Sequence, residues 1–520
     1  MSLPRPKFST GRVVLLLVLF IIQIIWFTTI VMNIVEYSLW IDIAFRFLSV
    51  IIVLFLLRKD ESPAYRMSWT ILIILLPIFG GLFYFLFGNK RTTKEMAHRL
   101  TEQLATHRDE MANIPSALPL LAKIDTRRAS LAYYIHQHAE MPVYPQSPIT
   151  YYACGEAAFP DIIQALEQAQ RYIFLEFFII KPGEMADTIF EVLRRKAAEG
   201  VEVRLIYDDY GTMLTLPSDF DAIMERQGIK CLKFNPFTPI LSLAVNTRDH
   251  RKIIVVDGTV GFTGGVNLAD EYINSQERFG YWKDNMIQIQ GVAVWNLTTM
   301  FLNMWNAFRE SETSYEAFRN DHLMSEVEML LTQPQLAIPQ GFVQPFGDTP
   351  LDSEPLGENV YRDILNQATD YVYIYTPYLV ISYELQTAMT LAAKRGVDVR
   401  LMTPGIPDKK LIFRITRSYY RALLEGGVRI FEYSPGFLHA KTFVSDDCVA
   451  SVGSINLDYR SLYLHFELNT MLYYHPVITT IKADFLEAQS VSREIYLEDC
   501  KSSFLGKMWD SILRLAAPFV

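Results

Sequence analysis

Residues 249–267, DHRKIIVVDGTVGFTGGVN, recur in altered form as residues 438–456, LHAKTFVSDDCVASVGSIN. Each copy has a histidine, a lysine two residues later, an aspartate five residues after the lysine, and an asparagine ten residues after the aspartate. A lone H-x-K triplet carries little information. Two copies that preserve every interval predict two equivalent halves of one fold.

The sequence before each copy repeats as well. DIIQALEQAQRYIFLEFFII and FEVLRRKAAEGVEVRLIYDD precede the first, and RDILNQATDYVYIYTPYLV and AMTLAAKRGVDVRLMTPG precede the second. Both predict a helix, a buried strand, a second helix closed by Gly200 or Gly396, and a further strand. Such alternation is typical of α/β units with a covered sheet. A duplicated unit usually places its copies about a pseudo-two-fold axis, so a site at the junction should draw equivalent residues from each.

Strand geometry places the reactive side chains of each motif on one face. Residues two apart in a strand point the same way, so His250 and Lys252 share a face, as do His439 and Lys441. Two imidazoles and two ammonium groups facing one another predict a metal-free phosphate site, in which the lysines neutralise charge. One neutral imidazole can act as nucleophile, and a protonated one can supply a proton to the leaving alcohol.

A hairpin register extends this face. We interpret Asp257-Gly258 as a two-residue turn, which places Gly265 opposite His250 and Asn267 one same-face position further on. The equivalent residues of the second copy are Ser454 and Asn456. We expect the two asparagines to donate hydrogen bonds to phosphate, and Gly265 and Ser454 to take part in binding the substrate phosphate.

Carboxylates have two separate predicted places. Asp257 and Asp446 lie five residues past the motif lysines, roughly 17 Å along an extended strand, so the geometry predicts that they form turns. A different carboxylate should accept the second ring N–H of each histidine and fix its tautomer, as in catalytic triads. The candidates are Asp284 in YWKDN and Glu467 in HFELN.

The N-terminal part, residues 1–95, is predicted to be a membrane anchor. Residues 13–35 form an apolar run long enough to cross a bilayer, and weaker apolar runs follow at 38–57 and 69–87. Basic residues flank the whole block, which favours both ends in the cytosol and an even number of crossings. We therefore predict a multi-pass membrane protein in which one of the later segments is re-entrant, interfacial or packed as a hairpin.

Composition suggests the remaining organisation. We predict a helical connector at residues 96–145 and, from its five prolines and lack of apolar periodicity, a linker at residues 332–357. Residues 501–520 show an amphipathic helical pattern that suits either core packing or a membrane surface. The four cysteines are scattered singly, which indicates neither zinc nor a disulfide framework and fits a cytosolic catalytic part. The net charge of −9 argues against nucleic acid as a partner.

Residues 145–500 resemble the phospholipase D superfamily, whose two H-x-K-x-x-x-x-D motifs form one site. LLPIFGGLFYFLFGN, NTRDHRKIIVVDG, GGVNLADEY and TPYL make the chain similar to bacterial cardiolipin synthases in particular. The resemblance implies two phospholipase D-like α/β/α repeats, residues 146–331 and 358–500, packed about a pseudo-two-fold axis behind a transmembrane region.

The resemblance also implies a reaction, in which two phosphatidylglycerol molecules give cardiolipin and glycerol through a phosphatidyl-histidine intermediate without a cofactor. Its catalytic residues would be those of the two motifs: His250, Lys252, Asp257, His439, Lys441 and Asp446. By analogy His250 is the nucleophile and His439 the acid, although the pseudo-symmetry leaves the reverse open. Three rival hypotheses are a hydrolase that releases phosphatidic acid, a nuclease, and a silent lipid-binding scaffold.

Overall fold

The computed structural model describes residues 39–59, 63–76, 94–112, 114–236, 246–309, 311–332, 340–501 and 503–517, with isolated positions between residues 21 and 84. The predicted span at 13–35 therefore lies outside the described residues except for four positions, and the segment at 69–87 is described in part. Within these ranges, no helix combines the length and apolar character required to cross a membrane.

Five helices open the described chain: α1 (Leu39–Leu57), α2 (Pro63–Leu75), α3 (Lys94–Ala112), α4 (Leu118–Ile124) and α5 (Thr126–Ala139). The last three occupy the predicted connector. Asp125 caps α5 because its carboxylate accepts the backbone N–H of Arg127 at 2.8 Å. In the first pair, the Tyr65 ring of α2 stacks on Tyr459 of the second repeat, with centroids 5.8 Å apart. The N-terminal helices are thus packed against the α/β region.

The first repeat is an α/β unit built on a seven-stranded sheet in the order β2-β10-β8-β7-β3-β4-β5. Its elements, after β1 (Tyr144–Pro145), are β2 (Ile149–Tyr152), α6 (Gly155–Gln168), β3 (Tyr172–Phe177), α7 (Glu184–Ala198), β4 (Glu202–Asp208), α8 (Asp209–Thr212), α9 (Phe220–Glu225), β5 (Lys230–Phe234), β6 (Arg248–Asp249), β7 (Ile253–Val256), β8 (Val260–Gly264), β9 (Tyr281–Lys283), β10 (Met286–Gln290), α10 (Val294–Phe308) and α11 (Asp321–Thr332).

The second repeat follows the same plan on a sheet in the order β1-β11-β18-β17-β16-β12-β13-β14-β19. Its elements are β11 (Phe342–Asp348), α12 (Leu356–Gln367), β12 (Tyr371–Tyr375), α13 (Tyr383–Lys394), β13 (Asp398–Pro404), α14 (Lys410–Glu425), β14 (Arg429–Tyr433), β15 (Gly436–Leu438), β16 (Thr442–Ser445), β17 (Val449–Gly453), α15 (Tyr459–Tyr463), β18 (His465–Tyr473), α16 (Val477–Ser490), β19 (Ser492–Ile495) and α17 (Phe504–Ala516). Gly200 and Gly396 follow the equivalent helices α7 and α13 at φ +94° and +98°, the left-handed conformation that closes a helix. The predicted α/β repeats are confirmed.

The repeats share one interior. Helix α10 is buried on every side up to Ala307, as expected of a helix that packs within a core rather than on a surface. It contacts β7 and β8 of the first sheet and β11 of the second. The Asn296 side-chain amide donates to the carbonyls of Pro142 and Pro345, at 3.0 and 2.9 Å. The two halves are therefore joined through a continuous core.

The predicted linker at 332–357 is wrong for residues 342–348, and its residues 333–339 lie outside the described residues. Residues Phe342–Asp348 form strand β11, which pairs antiparallel with β18. The prolines misled the prediction. Strand β1 pairs only with Phe342 and Val343 of β11, so β11 has an open edge at Pro345. Proline is tolerated at such an edge because it has no backbone N–H to donate. The segment FVQPFGD is almost entirely buried, so it belongs to the fold of the second repeat.

The motif hairpins have a different register from the prediction. Val256 pairs with Val260, and Ser445 pairs with Val449, so three residues rather than two separate the strands of each hairpin. The turn conformation itself is as expected, because Asp257 has a φ of 52°. The extra residue moves every cross-strand partner by one position, and Gly265 is therefore not the register partner of His250.

Candidate active site

Two short strand pairs connect the repeats and position the motif histidines. Strand β6 runs parallel to the start of β18, and β15 runs parallel to β9. His250 follows β6, and its backbone N–H donates to the carbonyl of Phe466 at 2.9 Å; His439 follows β15 and donates to the carbonyl of Lys283 at 2.7 Å. Each histidine is thus held by the residue that precedes a carboxylate of the opposite repeat.

The histidine side chains also pair with residues of the opposite repeat. Nδ1 of His250 lies 2.9 and 3.0 Å from the two carboxylate oxygens of Glu467, and Nδ1 of His439 lies 2.6 Å from Oδ2 of Asp284. Both carboxylates are fully buried. A carboxylate that accepts the Nδ1 proton leaves the Nε2 lone pair as the reactive position of the imidazole. The structure therefore brings the predicted histidine-orienting residues into contact with the histidines, each across the junction.

The motif lysines lie within the same buried site. The ammonium group of each lysine donates to the backbone carbonyl of its own motif histidine, and Nζ of Lys441 also lies 2.8 Å from Nδ1 of His439. Burial lowers the pKa of Lys252 to about 7 and that of Lys441 to about 8, against the attraction of Glu467 and Asp284. An anionic phosphodiester would favour the charged form of both ammonium groups.

The electrostatics also couple the two halves. Burial, followed by the charges of Lys252 and Lys441, lowers the pKa of His250 well below its usual value. Burial and Lys441 lower the pKa of His439 to about 4, against the opposing effect of Asp284. Both imidazoles are therefore neutral near pH 7 in the free protein, which is the form required for nucleophilic attack.

The two carboxylates differ in their ionisation. Burial raises the pKa of Glu467 to about 7, although Lys252 and the Ser454 hydroxyl oppose the shift. Burial also tends to raise the pKa of Asp284, but the effects of His439 and Lys441 outweigh burial and hold the pKa of that carboxyl below its usual value. His439 consequently faces the more fully charged partner.

The predicted phosphate-binding asparagines are engaged with the protein. The amide nitrogen of Asn267 donates to the Tyr272 hydroxyl at 2.8 Å, and its oxygen accepts the backbone N–H of Ile179 at 3.1 Å. The amide nitrogen of Asn456 donates to the Ser461 hydroxyl at 3.1 Å. This geometry favours a role in holding the loops that surround the site over the predicted direct contact with phosphate.

Gly265 and Ser454 act on the carboxylates rather than on substrate. A Cβ atom at Gly265 would lie 2.0 Å from Oδ1 of Asp284, so only glycine leaves room for that carboxylate. At the equivalent position, the Ser454 hydroxyl donates to Glu467 and accepts the backbone N–H of Leu468 at 3.0 Å. Both residues were predicted to bind substrate, and the structure instead places them directly behind the histidine partners.

Asp257 and Asp446 lie at the hairpin turns, as the strand spacing predicted. Asp257 accepts backbone N–H groups of residues 170–172 at 2.7 to 2.9 Å, and Asp446 accepts those of residues 369–371 at 2.8 to 3.0 Å. Their place in the catalytic set is therefore corrected. They fix the loop that enters the neighbouring strand, and the motif histidines pair with other carboxylates.

Sequence reasoning missed His465. Its ring centroid lies 5.8 Å from that of His250, its side chain is 10% exposed, and neither ring nitrogen makes a hydrogen bond to any residue that the structure describes. The sequence signal that could have identified His465 is its position two residues before the candidate carboxylate Glu467. The equivalent residue in the first repeat, two before Asp284, is Trp282. In the part of the chain that the structure describes, His250, His465 and Glu467 form a group whose ligand atoms lie within 4.8 Å of one another and could hold a metal ion.

Comparisons with known proteins agree with this geometry. Residues 162–305 and 361–488 match the family model described as "Cardiolipin synthase, PLD-like domain", and residues 47–89 match "Phospholipase_D-nuclease N-terminal". An uncharacterized protein of Streptococcus mutans is 41% identical over 90% of this chain and 99% of its own length. A cardiolipin synthase of Geobacillus thermodenitrificans is 35% identical over 91% of this chain and 92% of its own length.

A solved structure agrees on the fold. The phosphatidylserine synthase of Haemophilus influenzae covers 75% of this chain and 98% of its own, with a TM-score of 0.57 and 14% sequence identity. Such a level of identity supports only the shared architecture of the two repeats. The family model and the relatives extend further, since they cover both repeats and the segment before them. The chain belongs to the cardiolipin synthase family of phospholipase D-like proteins.

Proposed function

We propose that this protein makes cardiolipin by transferring a phosphatidyl group from one phosphatidylglycerol molecule to a second and releasing glycerol. The observation that carries the proposal is the pair of buried imidazoles, each oriented by a carboxylate of the opposite repeat, with two ammonium groups beside them. One phosphodiester can contact both halves only at such a junction. Membership of the family supports the choice of lipid substrate.

The first half-reaction forms a covalent intermediate. Nε2 of His250 attacks phosphorus, a P–N bond forms, and the bond from phosphorus to the glycerol headgroup breaks. Protonated His439 donates its proton to the departing oxygen, so glycerol leaves as a neutral alcohol. The negative charge of the phosphodiester and of Asp284 favours the imidazolium form that this step requires. Lys252 and Lys441 offset the charge on the phosphoryl oxygens.

The second half-reaction transfers the phosphatidyl group. A hydroxyl of the second phosphatidylglycerol gives its proton to neutral His439 and attacks phosphorus, and the P–N bond breaks. His250 is thereby regenerated and cardiolipin is released. The reaction is reversible because phosphodiester bonds of similar energy form and break. The side chains present supply the nucleophile, the acid and the compensating charge, so the sequence of steps requires no cofactor.

The proposed location is the cell membrane, with several membrane segments and the two repeats on the cytosolic side. Helix α1 exposes large apolar side chains, among them Phe47 and Leu54 at 68% and 58%. Such a surface suits contact with lipid or with further apolar segments. At a bilayer, lipid hydroxyls reach high effective concentration and compete with water for the intermediate. Proximity of this kind favours transfer over hydrolysis.

Product analysis tests this proposal. The purified full chain is given phosphatidylglycerol that carries one label in the headgroup glycerol and another in the acyl chains, in mixed micelles. We expect cardiolipin and free glycerol in equal amounts, and neither product from His250→Ala. Phosphatidic acid with glycerol would instead identify a hydrolase, and no turnover would identify a lipid-binding scaffold. Nicking of plasmid DNA would revive the nuclease hypothesis.

A further inference from the structure

A basic cavity lies between α14 and the C-terminal helix α17, and none of the motif residues lines it. It has a volume of about 480 Å³. Seven basic side chains and two acidic ones line it: Lys410, Arg414, Arg417, Arg421, Lys501, Lys507 and Arg514, with Asp499 and Asp510. This positive concentration stands out because the whole chain carries a net charge of −9. It marks a site for an anion.

Much of that positive charge is uncompensated. Arg414 pairs with Asp510 at 2.8 Å, Arg417 with Glu432 at 3.3 Å and Arg421 with Glu425 at 2.8 Å, so the charges of these three arginines are compensated. Among the described residues, by contrast, the ammonium groups of Lys410, Lys501 and Lys507 make no ion pair. Lys410, Lys501 and Lys507 are also exposed. Three free cations at the rim can therefore neutralise an incoming phosphate.

Helix α17 gives this cavity an apolar border. Leu513 and Ala517 pack inward in a small cluster with Ile415 of α14. The neighbouring, solvent-facing side of the helix exposes large apolar side chains at helical spacing: Phe504 at 76%, Leu505 at 74%, Met508 at 50%, Trp509 at 48% and Ile512 at 51%. Apolar side chains beside a basic rim are the features of a helix that lies in a membrane interface.

The apolar face of α17 is continuous with the N-terminal helices. The Ser68 hydroxyl of α2 donates to the carbonyl of Leu515 at 2.7 Å, so α2 and α17 are in direct contact. Helix α2 exposes Met67 and Leu75 at 56% and 71%. A soluble polyanion would satisfy the lysines but would leave this apolar surface in water. A bilayer with negatively charged headgroups satisfies both.

We propose that the cavity between α14 and α17 is a second lipid site, which binds the phosphate of an anionic phospholipid while the apolar face of α17 enters the bilayer surface. The site is separate from the reacting phosphodiester. It would hold the two repeats against membrane regions that are rich in anionic lipid, since each lysine near such a surface adds a salt-sensitive attraction. The substrate proposed above is itself an anionic lipid.

Lipid binding by the purified full chain in neutral detergent tests this inference. The probe is phosphatidic acid, which has no headgroup alcohol to transfer, and native mass spectrometry counts the molecules bound. We expect the double variant Lys501→Gln/Lys507→Gln to bind one of the phosphatidic acid molecules about 25-fold more weakly, because each lysine contributes roughly a factor of five to the affinity. At a concentration that saturates the unchanged protein, the variant should therefore carry one phosphatidic acid fewer. The matched control is Lys123→Gln/Lys394→Gln, which removes two exposed lysines elsewhere and should bind as the unchanged protein does.

Further variants and probes separate the alternatives. Lys501→Arg/Lys507→Arg keeps the charge and should restore binding. Equal loss in the control, or no loss in the cavity variant, would overturn the proposal. Equal binding of phosphatidylcholine would also overturn it, because the contact would then be apolar only. Displacement by inorganic phosphate at the same concentration would assign the cavity to a free anion instead of a lipid. Turnover is not measured, so failure here is distinct from failure of the proposed reaction.

Discussion

Replacing Gly265 by alanine should disable the acid half of the site without touching a reactive group. The added Cβ would lie 2.0 Å from Oδ1 of Asp284, whereas ordinary contact begins near 3.4 Å, so the carboxylate must move by about 1.4 Å. It now lies 2.6 Å from Nδ1 of His439. A displacement of that size takes the carboxylate out of the geometry that this hydrogen bond requires.

The magnitude follows from the bond that is lost. A hydrogen bond to a charged group is worth about 1.5 to 3 kcal/mol, and each ~1.4 kcal/mol is a factor of ten in rate. A shift of about 1 Å in a positioned group can itself cost a hundredfold. We therefore expect kcat for cardiolipin formation by Gly265→Ala to fall about 12- to 140-fold. KM for phosphatidylglycerol should change little, since Lys252 and Lys441 remain in place.

The assay compares kcat and KM in mixed micelles for Gly265→Ala and for Ser454→Gly, the converse exchange in the other half. The control variant Ser454→Gly loses only the hydroxyl that donates to Glu467, so its kcat should drop by about 2- to 13-fold. Thermal unfolding must show that both variants are folded. A folded Gly265→Ala protein with kcat within threefold of the unchanged chain would refute the role of Asp284, and a rise in KM alone would show that the glycine serves substrate binding.

Three more outcomes are expected. Glu467→Gln offers an amide to Nδ1 of His250 and favours the wrong tautomer, so kcat should fall about 10³- to 10⁴-fold at every pH, and a loss below tenfold would contradict the pairing. KM should rise as pH passes about 7 and then about 8, because Lys252 and Lys441 lose their charge as protons leave; a flat KM with falling kcat would oppose this. EDTA should leave activity intact, and loss of activity in EDTA would count against a metal-free reaction. Added Zn²⁺ should inhibit the enzyme by binding His250, His465 and Glu467, and the variant His465→Gln should be less sensitive to Zn²⁺.

The duplicated pattern was sufficient to predict the two α/β repeats and to single out the histidines that the structure places at their junction. His250 and Lys252 lie between β6 and β7 rather than within one strand, so the period-two argument did not apply to them as predicted. The separation of roughly 17 Å correctly assigned Asp257 to a turn. This assignment depends on local geometry alone. It holds whatever the two halves do relative to each other.

Local signals failed where partners are distant in sequence. Dipeptide rules predicted a two-residue turn, but three residues separate β7 from β8, and every register partner moved by one. Proline content predicted a linker where β11 is held by pairing with β18. The sequence offered Glu467 and Asp284 as partners of the histidines but did not indicate which histidine each would face. The contact of His250 with Glu467, 217 residues away, depends on the parallel pairing of β6 with β18. The turn length is a local error of one residue, whereas tertiary pairing decided the other two cases.

The two halves of the site depart from symmetry in a consistent direction. Asp284 lies 2.6 Å from His439 and has a lowered pKa, so it stabilises an imidazolium and suits a proton donor. Glu467 has a pKa raised to about 7, which weakens the attraction that would charge His250. His465 stands beside His250 where the other half has Trp282, and a charge on His465 would further disfavour a proton on His250. We infer that these differences favour His250 as the nucleophile and His439 as the acid, the assignment that pseudo-symmetry had left open.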